Sequence, residues 1–156
     1  MNNREQLYHE LNLRLPALIE GENNPVSIMS NACALMREVM GERFFWVGFY
    51  VVEDDHLQLG PFQGSVACYR IAHNRGVCGT AWAQNKTLVV PDVEQFPGHI
   101  ACSALSRSEI VVPICDKTET VQAVLDIDSR EINAFDETDK NGLEQLARAL
   151  AQALYP

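Results

Sequence analysis

The chain has 156 residues, with 12 basic and 21 acidic side chains and a net charge of −9 at neutral pH. That length is enough to bury a hydrophobic core without disulfide or metal staples. The negative charge repels phosphate backbones and anionic lipid surfaces, so neither nucleic acid nor membrane is expected as a partner. The sequence does not open on a basic region followed by an apolar stretch, and the apolar run 44–52 is too short to span a bilayer. A cytoplasmic protein is therefore expected, as one domain over residues 1–156, since no repeat or low-complexity linker interrupts the pattern.

In chain order, Leu7, Leu11, Leu15 and Leu18 predict an amphipathic first helix, bent or divided at Pro16 and closed by Gly21. Asn24 as cap and Pro25 at the first helical position open a second helix. In it Ile28, Met29, Ala32, Leu35, Met36 and Val39 form the apolar stripe, with Cys33 beside them as a core thiol. Residues 44–52, rich in aromatic and β-branched side chains, predict a strand that turns at Glu53, Asp54 and Asp55 into a second, 56–62. Further strand character lies in 86–90, 108–114 and 121–128, and a short helix is predicted over 80–84. From Asp136, a plausible cap, Leu143, Leu146, Leu150 and Leu154 mark a last helix. The whole reads as an α+β fold, two or three helices flanking a mostly antiparallel sheet. The terminal helices are natural places for a contact between copies.

The five cysteines (Cys33, Cys68, Cys78, Cys102, Cys115) form no C-x-x-C pair and the four histidines are scattered, so spacing offers no zinc signature. Residues 63–79 place Cys68 and Cys78 near Arg70, His73 and Arg75, and Cys78 precedes a predicted helix; both features favour a thiolate. Both cysteines are equally consistent with buried small hydrophobes. In residues 91–108, Pro97 and Gly98 demand a turn, and Ala101 and Ser103 leave the sulfur of Cys102 room for a ligand. His99 serves there either as a turn-stabilising group or as a general base. Strand alternation puts Asp126 and Asp128 on one face, opposite Leu125 and Ile127, and sets Glu109 opposite Ile110 and Val112. Clustered inside the fold, such acids raise one another's pKa and supply a protonated carboxyl; on an open sheet face they are ordinary solvated charges.

Eight motifs resemble the free methionine (R)-sulfoxide reductases, a family of stand-alone GAF-domain enzymes. They are F-W-V-G-F-Y (45–50), L-x-L-G-P-F-Q-G (57–64), A-C (67–68), G-V-C-G-T-A (76–81), P-D-V (91–93), P-G-H-I-A-C (97–102), S-E-I-V-V-P-I (108–114) and V-L-D-I-D-S (124–129). The resemblance implies a GAF-type fold with Cys102 as nucleophile, Cys68 as resolving cysteine and Cys78 as an accessory thiol. It further implies a Cys102 sulfenic acid, a Cys102–Cys68 disulfide and recycling by thioredoxin, with no cofactor and no metal. Glu109, Asp126 and Asp128 would line the pocket for free methionine (R)-sulfoxide, with Trp46 and Tyr50 as a wall against its thioether end. Cys33 and Cys115 match no catalytic position, and a homodimer is implied. The hairpin 117–122 departs from the family by lacking the glycine often found there. A GAF domain that senses a small molecule, or a redox sensor using the same cysteines, is the alternative reading; only turnover separates them.

Overall fold

A computed structural model describes residues 2–99 and 102–156. Its first helix, α1 (Asn3–Ile19), is capped by the Asn2 side chain, which accepts from the Glu5 amide at 2.8 Å. Pro16 lies inside α1 without dividing it. Burial of Tyr8, Leu11, Leu15 and Ile19 holds the helix together across the missing hydrogen bond. The buried stripe is thus rotated from the expected one: Leu18 is exposed and Leu7 only half-buried. Gly21 ends the helix at φ +79°, a conformation that costs a residue without Cβ little.

The second helix, α2 (Pro25–Met40), starts as expected, with Asn24 accepting from the Ser27 amide at 3.1 Å. Strands β1 (Trp46–Glu53) and β2 (His56–Gln63) form the expected hairpin, with Asp54 left-handed at its turn. A short strand, β3 (Arg70–Ala72), follows; its three residues are too few to give a pattern in sequence. Helix α3 (Gly76–Gln84) starts four residues before its expected position and so takes in Cys78. The remaining elements are β4 (Leu88–Val90), β5 (Ser108–Cys115), β6 (Val121–Ser129) and α4 (Glu137–Leu154). Asp136 caps α4 in a reciprocal box with Asp139. The β5–β6 turn manages without glycine because Asp116 accepts from the Thr118 and Thr120 amides and from the Gln122 side chain, while Glu119 takes φ +63°.

All pairings are antiparallel, in the order β3-β2-β1-β6-β5-β4. Period-two alternation gives the sheet two different faces. Val47, Phe49, Ile110, Val112, Leu125 and Ile127 face the layer built by α1, α2 and α4. Each such fully buried side chain contributes roughly 1.5–3 kcal/mol. The opposite face carries Trp46, Tyr50, Val111 and Val124 and is covered by α3 and two long loops.

Gly142 sits mid-helix in α4, where glycine is normally unfavourable. A Cβ there would run into the Tyr8 ring, so the close crossing of α1 and α4 requires it. Beside that crossing, Asp139 is fully buried and accepts from the Tyr8 hydroxyl at 2.6 Å, from Arg4 at 3.2 Å and from Arg43. This polar knot lies on the far side of the sheet from the candidate site.

Candidate active site

Strand register assembles the site before any loop does. Trp46 pairs with Asp128 across β1 and β6, and Asp128 pairs with Glu109 across β6 and β5. Gly48 is opposite Asp126 in the next row of the same face. An aromatic wall and three carboxyls therefore share one face of three adjacent strands.

The wall is fixed by stacking. The Trp46 ring lies 5.1 Å from Phe62 and 6.0 Å from Tyr50, at interplanar angles of 15° and 21°. It also lies over Gly48, where an added Cβ would come within 2.7 Å of the indole and collide with Phe62. Gly48→Ala is expected to displace Trp46 and to cost roughly 1–3 kcal/mol of stability, read from the denaturant midpoint.

Both aromatics also anchor the loop 64–69. The Trp46 indole N–H donates to the Ser65 carbonyl and the Tyr50 hydroxyl donates to the Cys68 carbonyl, each at 3.0 Å. The second loop is pinned at its ends. The Val93 amide donates to Arg107, the Arg107 amide to Ser129 and the Asn133 amide to Pro91, at 2.8–2.9 Å. Between the two loops Cys68 and Cys102 are joined by a disulfide with Cα atoms 5.6 Å apart. Ile100 and Ala101 of the P-G-H-I-A-C motif, including the room expected beside Cys102 from Ala101, lie outside the described residues.

Trp46, Tyr50, Cys78, Cys102, Glu109, Asp126 and Asp128 all line the resulting cavity. Of the sequence-derived site residues, Cys68 alone reaches it indirectly, through its bond to Cys102. Sequence reasoning named Ser103 only as a small flank of Cys102 and passed over Ser106, and both line it. Their loop was recognised, but no local signal separates a cavity serine from a solvated one. Arg75 lies at the cavity as well.

The acids are not the solvated charges of an open sheet face. Glu109 and Asp126 are each 6% exposed, and Asp128 is half-buried. Burial, and then the charges of Asp126 and Asp128, push the Glu109 carboxyl well above its usual range. Burial and Asp126 do the same to Asp128. Burial also raises Asp126, opposed by hydrogen bonds with Glu109 and Cys78 and by His99. The cluster therefore retains protons where isolated carboxyls have lost them, which makes it a hydrogen-bond donor toward a substrate oxygen.

Cys78 departs from expectation. Its sulfur lies 4.0 Å from a Glu109 oxygen inside α3, and burial followed by the three acids drives its pKa well up, toward the neutral thiol. Two of the basic residues that were to favour a thiolate lie elsewhere, since Arg70 is exposed and exposed His73 packs edge-on against Trp82 at 4.5 Å; Arg75 does reach the cavity, but burial and the three acids dominate at Cys78. His99 turns its ring inward, with Nε2 4.0 Å from Glu109, and burial lowers its pKa. Cys33 and Cys115 stand apart: Cys33 is in the helix-side core, with burial pushing its pKa up to about 12, and Cys115 donates to the Asn85 side chain.

Comparison with known proteins agrees with this geometry. The GAF domain family matches residues 22–154. GAF domain-containing protein A of Dictyostelium discoideum is 51% identical, over 94% of this chain and 92% of its own. Free methionine-R-sulfoxide reductase of Escherichia coli (strain K12) is 45% identical, over 97% and 91%. The structure of free methionine-R-sulfoxide reductase from Neisseria meningitidis in complex with its substrate superposes with a TM-score of 0.93 at 44% identity, covering 98% of this chain and 91% of that one. With a family match over residues 22–154 and identities of 44–45% along nearly the whole chain, the protein belongs to the GAF-domain family and, within it, to the free methionine-R-sulfoxide reductases.

Proposed function

We propose that this protein reduces free L-methionine (R)-sulfoxide to methionine, with Cys102 as nucleophile and Cys68 as resolving thiol. The observation that carries the reading is the Cys68–Cys102 disulfide beside a cavity lined by three clustered carboxyls, of which Glu109 and Asp128 are pushed well above their usual range. A Cys102 thiolate attacks the sulfoxide sulfur while a carboxyl of the cluster donates a hydrogen bond and then a proton to the oxygen. Two electrons pass from the Cys102 sulfur to the substrate sulfur, methionine leaves, and the oxygen remains on Cys102 as a sulfenic acid. The Cys68 thiol displaces that oxygen as water and forms the disulfide. A dithiol of thioredoxin then reopens it by exchange, becoming a disulfide itself.

The cluster also suits the substrate's ammonium group, while Trp46 and Tyr50 offer apolar surface to its methyl and thioether end. A peptide-bound residue lacks the free ammonium and would leave buried acids unpaired, which supports a preference for the free amino acid. Cys78, neutral and inside the cavity, is assigned as an accessory thiol. The working unit is taken to be a cytoplasmic homodimer whose protomers each form a single GAF domain. Exposed Leu13 and Leu18 on α1 support a contact between copies, and among the described residues no helix is long and apolar enough to cross a membrane.

The direct test is methionine release from free L-methionine (R)-sulfoxide with dithiothreitol as reductant, run beside the S epimer and a peptide-bound sulfoxide. Release from the free R epimer alone supports the reading. No release from any of them moves the assignment to a sensor.

Glu109→Gln removes the carboxyl whose pKa is raised most clearly by its neighbours and is expected to slow the chemical step more than ~10-fold. Stability should move the other way. With folded pKa values above the unfolded ones, the cluster's contribution is fully present below the unfolded pKa of about 4 and declines as pH rises toward the folded values. At neutral pH, Glu109→Gln should therefore melt no lower than the parent. A slow and less stable variant would show Glu109 to be structural support instead.

A further inference from the structure

We propose that the cavity binds a divalent cation of the zinc class through Cys78, Glu109 and Asp126, and that this cation competes with the substrate. One potential ligand atom from each residue lies within 4.8 Å of the other two, and all three residues are buried. Two observations separate the cluster from a chance grouping of acids. Beyond the hydrogen bonds of its carboxyl with Glu109 and Cys78, Asp126 keeps its buried Oδ1 atom without a partner, and the residue lines the cavity, so an acceptor is left unused at the cluster. Cys78 is a free thiol, outside the Cys68–Cys102 disulfide, and its sulfur already points at Glu109.

The donor set selects the metal. One thiolate with two carboxylates suits zinc better than calcium or magnesium, which prefer all-oxygen shells of six or more ligands. Bonds of roughly 2.0–2.3 Å at tetrahedral angles set ligand atoms about 3.3–3.7 Å apart. The cluster needs to close by only about an ångström. Three protein ligands leave a fourth position open toward the cavity, for water. The cation replaces protons held by Cys78 and the carboxyls, which pass to solvent. No sequence spacing announces this site, because its ligands come from α3, β5 and β6.

Occupancy removes both resources attributed above to the carboxyls, their protons and their charge toward an ammonium. The competitive effect rests on the proposed reductase function; the binding does not. Binding is best read first on the oxidised protein, where Cys68 and Cys102 are tied together and cannot act as ligands. Co²⁺ is the probe, through its thiolate-to-metal absorption band, followed by displacement with Zn²⁺. The band should appear with the parent and with Cys115→Ser, disappear with Cys78→Ser, and weaken at least ~10-fold in affinity with Asp126→Asn, each variant checked for an unchanged circular dichroism spectrum. Retention of the band in Cys78→Ser, or its loss in Cys115→Ser, overturns the site. On the reduced protein, with thioredoxin or a phosphine in place of chelating dithiothreitol, Zn²⁺ should raise KM for the sulfoxide at unchanged kcat. An unchanged KM at metal saturation overturns the competition. Metal binding by a protein that releases no methionine would instead sink the reductase reading and leave the metal site standing.

Discussion

Cys102→Ser is expected to lower methionine release by more than ~10³-fold, because a serine hydroxyl at neutral pH is neither ionised nor able to hold the oxygen as a sulfenic acid. The same substitution at Cys68 should behave differently. Its Cys102 still attacks, so about one methionine per protein is released in a single turnover, after which recycling stalls. Intact mass separates the two states: the parent ends two hydrogens lighter than its dithiol form, and Cys68→Ser ends one oxygen heavier. Equal loss of the first turnover in both variants would contradict the division of roles between the two cysteines. The geometry explains why the division is sharp. Cys102 lines the cavity itself, whereas Cys68 stands behind it, on a loop tied down by Trp46 and Tyr50.

Asp139→Ala should have the largest effect on stability, about 3 kcal/mol or more, and little effect on the reaction of the protein that remains folded. Asp139 is fully buried and receives bonds from Tyr8, Arg4 and Arg43 while closing the cap of α4. Its removal leaves the Arg43 guanidinium, which already has one unpartnered nitrogen, without its carboxylate, and strands the Tyr8 hydroxyl in the crossing of α1 and α4. Urea denaturation followed by circular dichroism measures the loss. A change below about 1 kcal/mol would mean that water enters beside Arg43, whose side chain is 22% exposed, and replaces the carboxylate.

Much of the architecture was legible in the chain because it rests on local rules. Pro25 and Gly21 marked helix ends through backbone chemistry, and Asn24 and Asp136 did so through their side chains. Alternation in 121–128 placed Asp126 and Asp128 together because a strand has a side-chain period of two wherever it occurs. The motifs around Cys68, Cys78 and Cys102 carried the family, which no periodicity could have supplied. Local rules failed where a long-range contact prevailed over them. Pro16 did not divide α1, since the burial of Leu15 and Ile19 outweighs one lost backbone bond. The three residues of β3 are a strand only because β2 lies beside them.

The site divides along the same line. Residue types and strand faces were determined by the sequence itself, because they depend on neighbours two or four positions away. Whether the acids were solvated or buried, whether Cys78 lay among bases or among carboxyls, and whether Asp139 was a surface cap or a buried anchor were decided only by tertiary structure. Each depends on which distant segments cover the residue, and burial and charge act through space rather than along the chain.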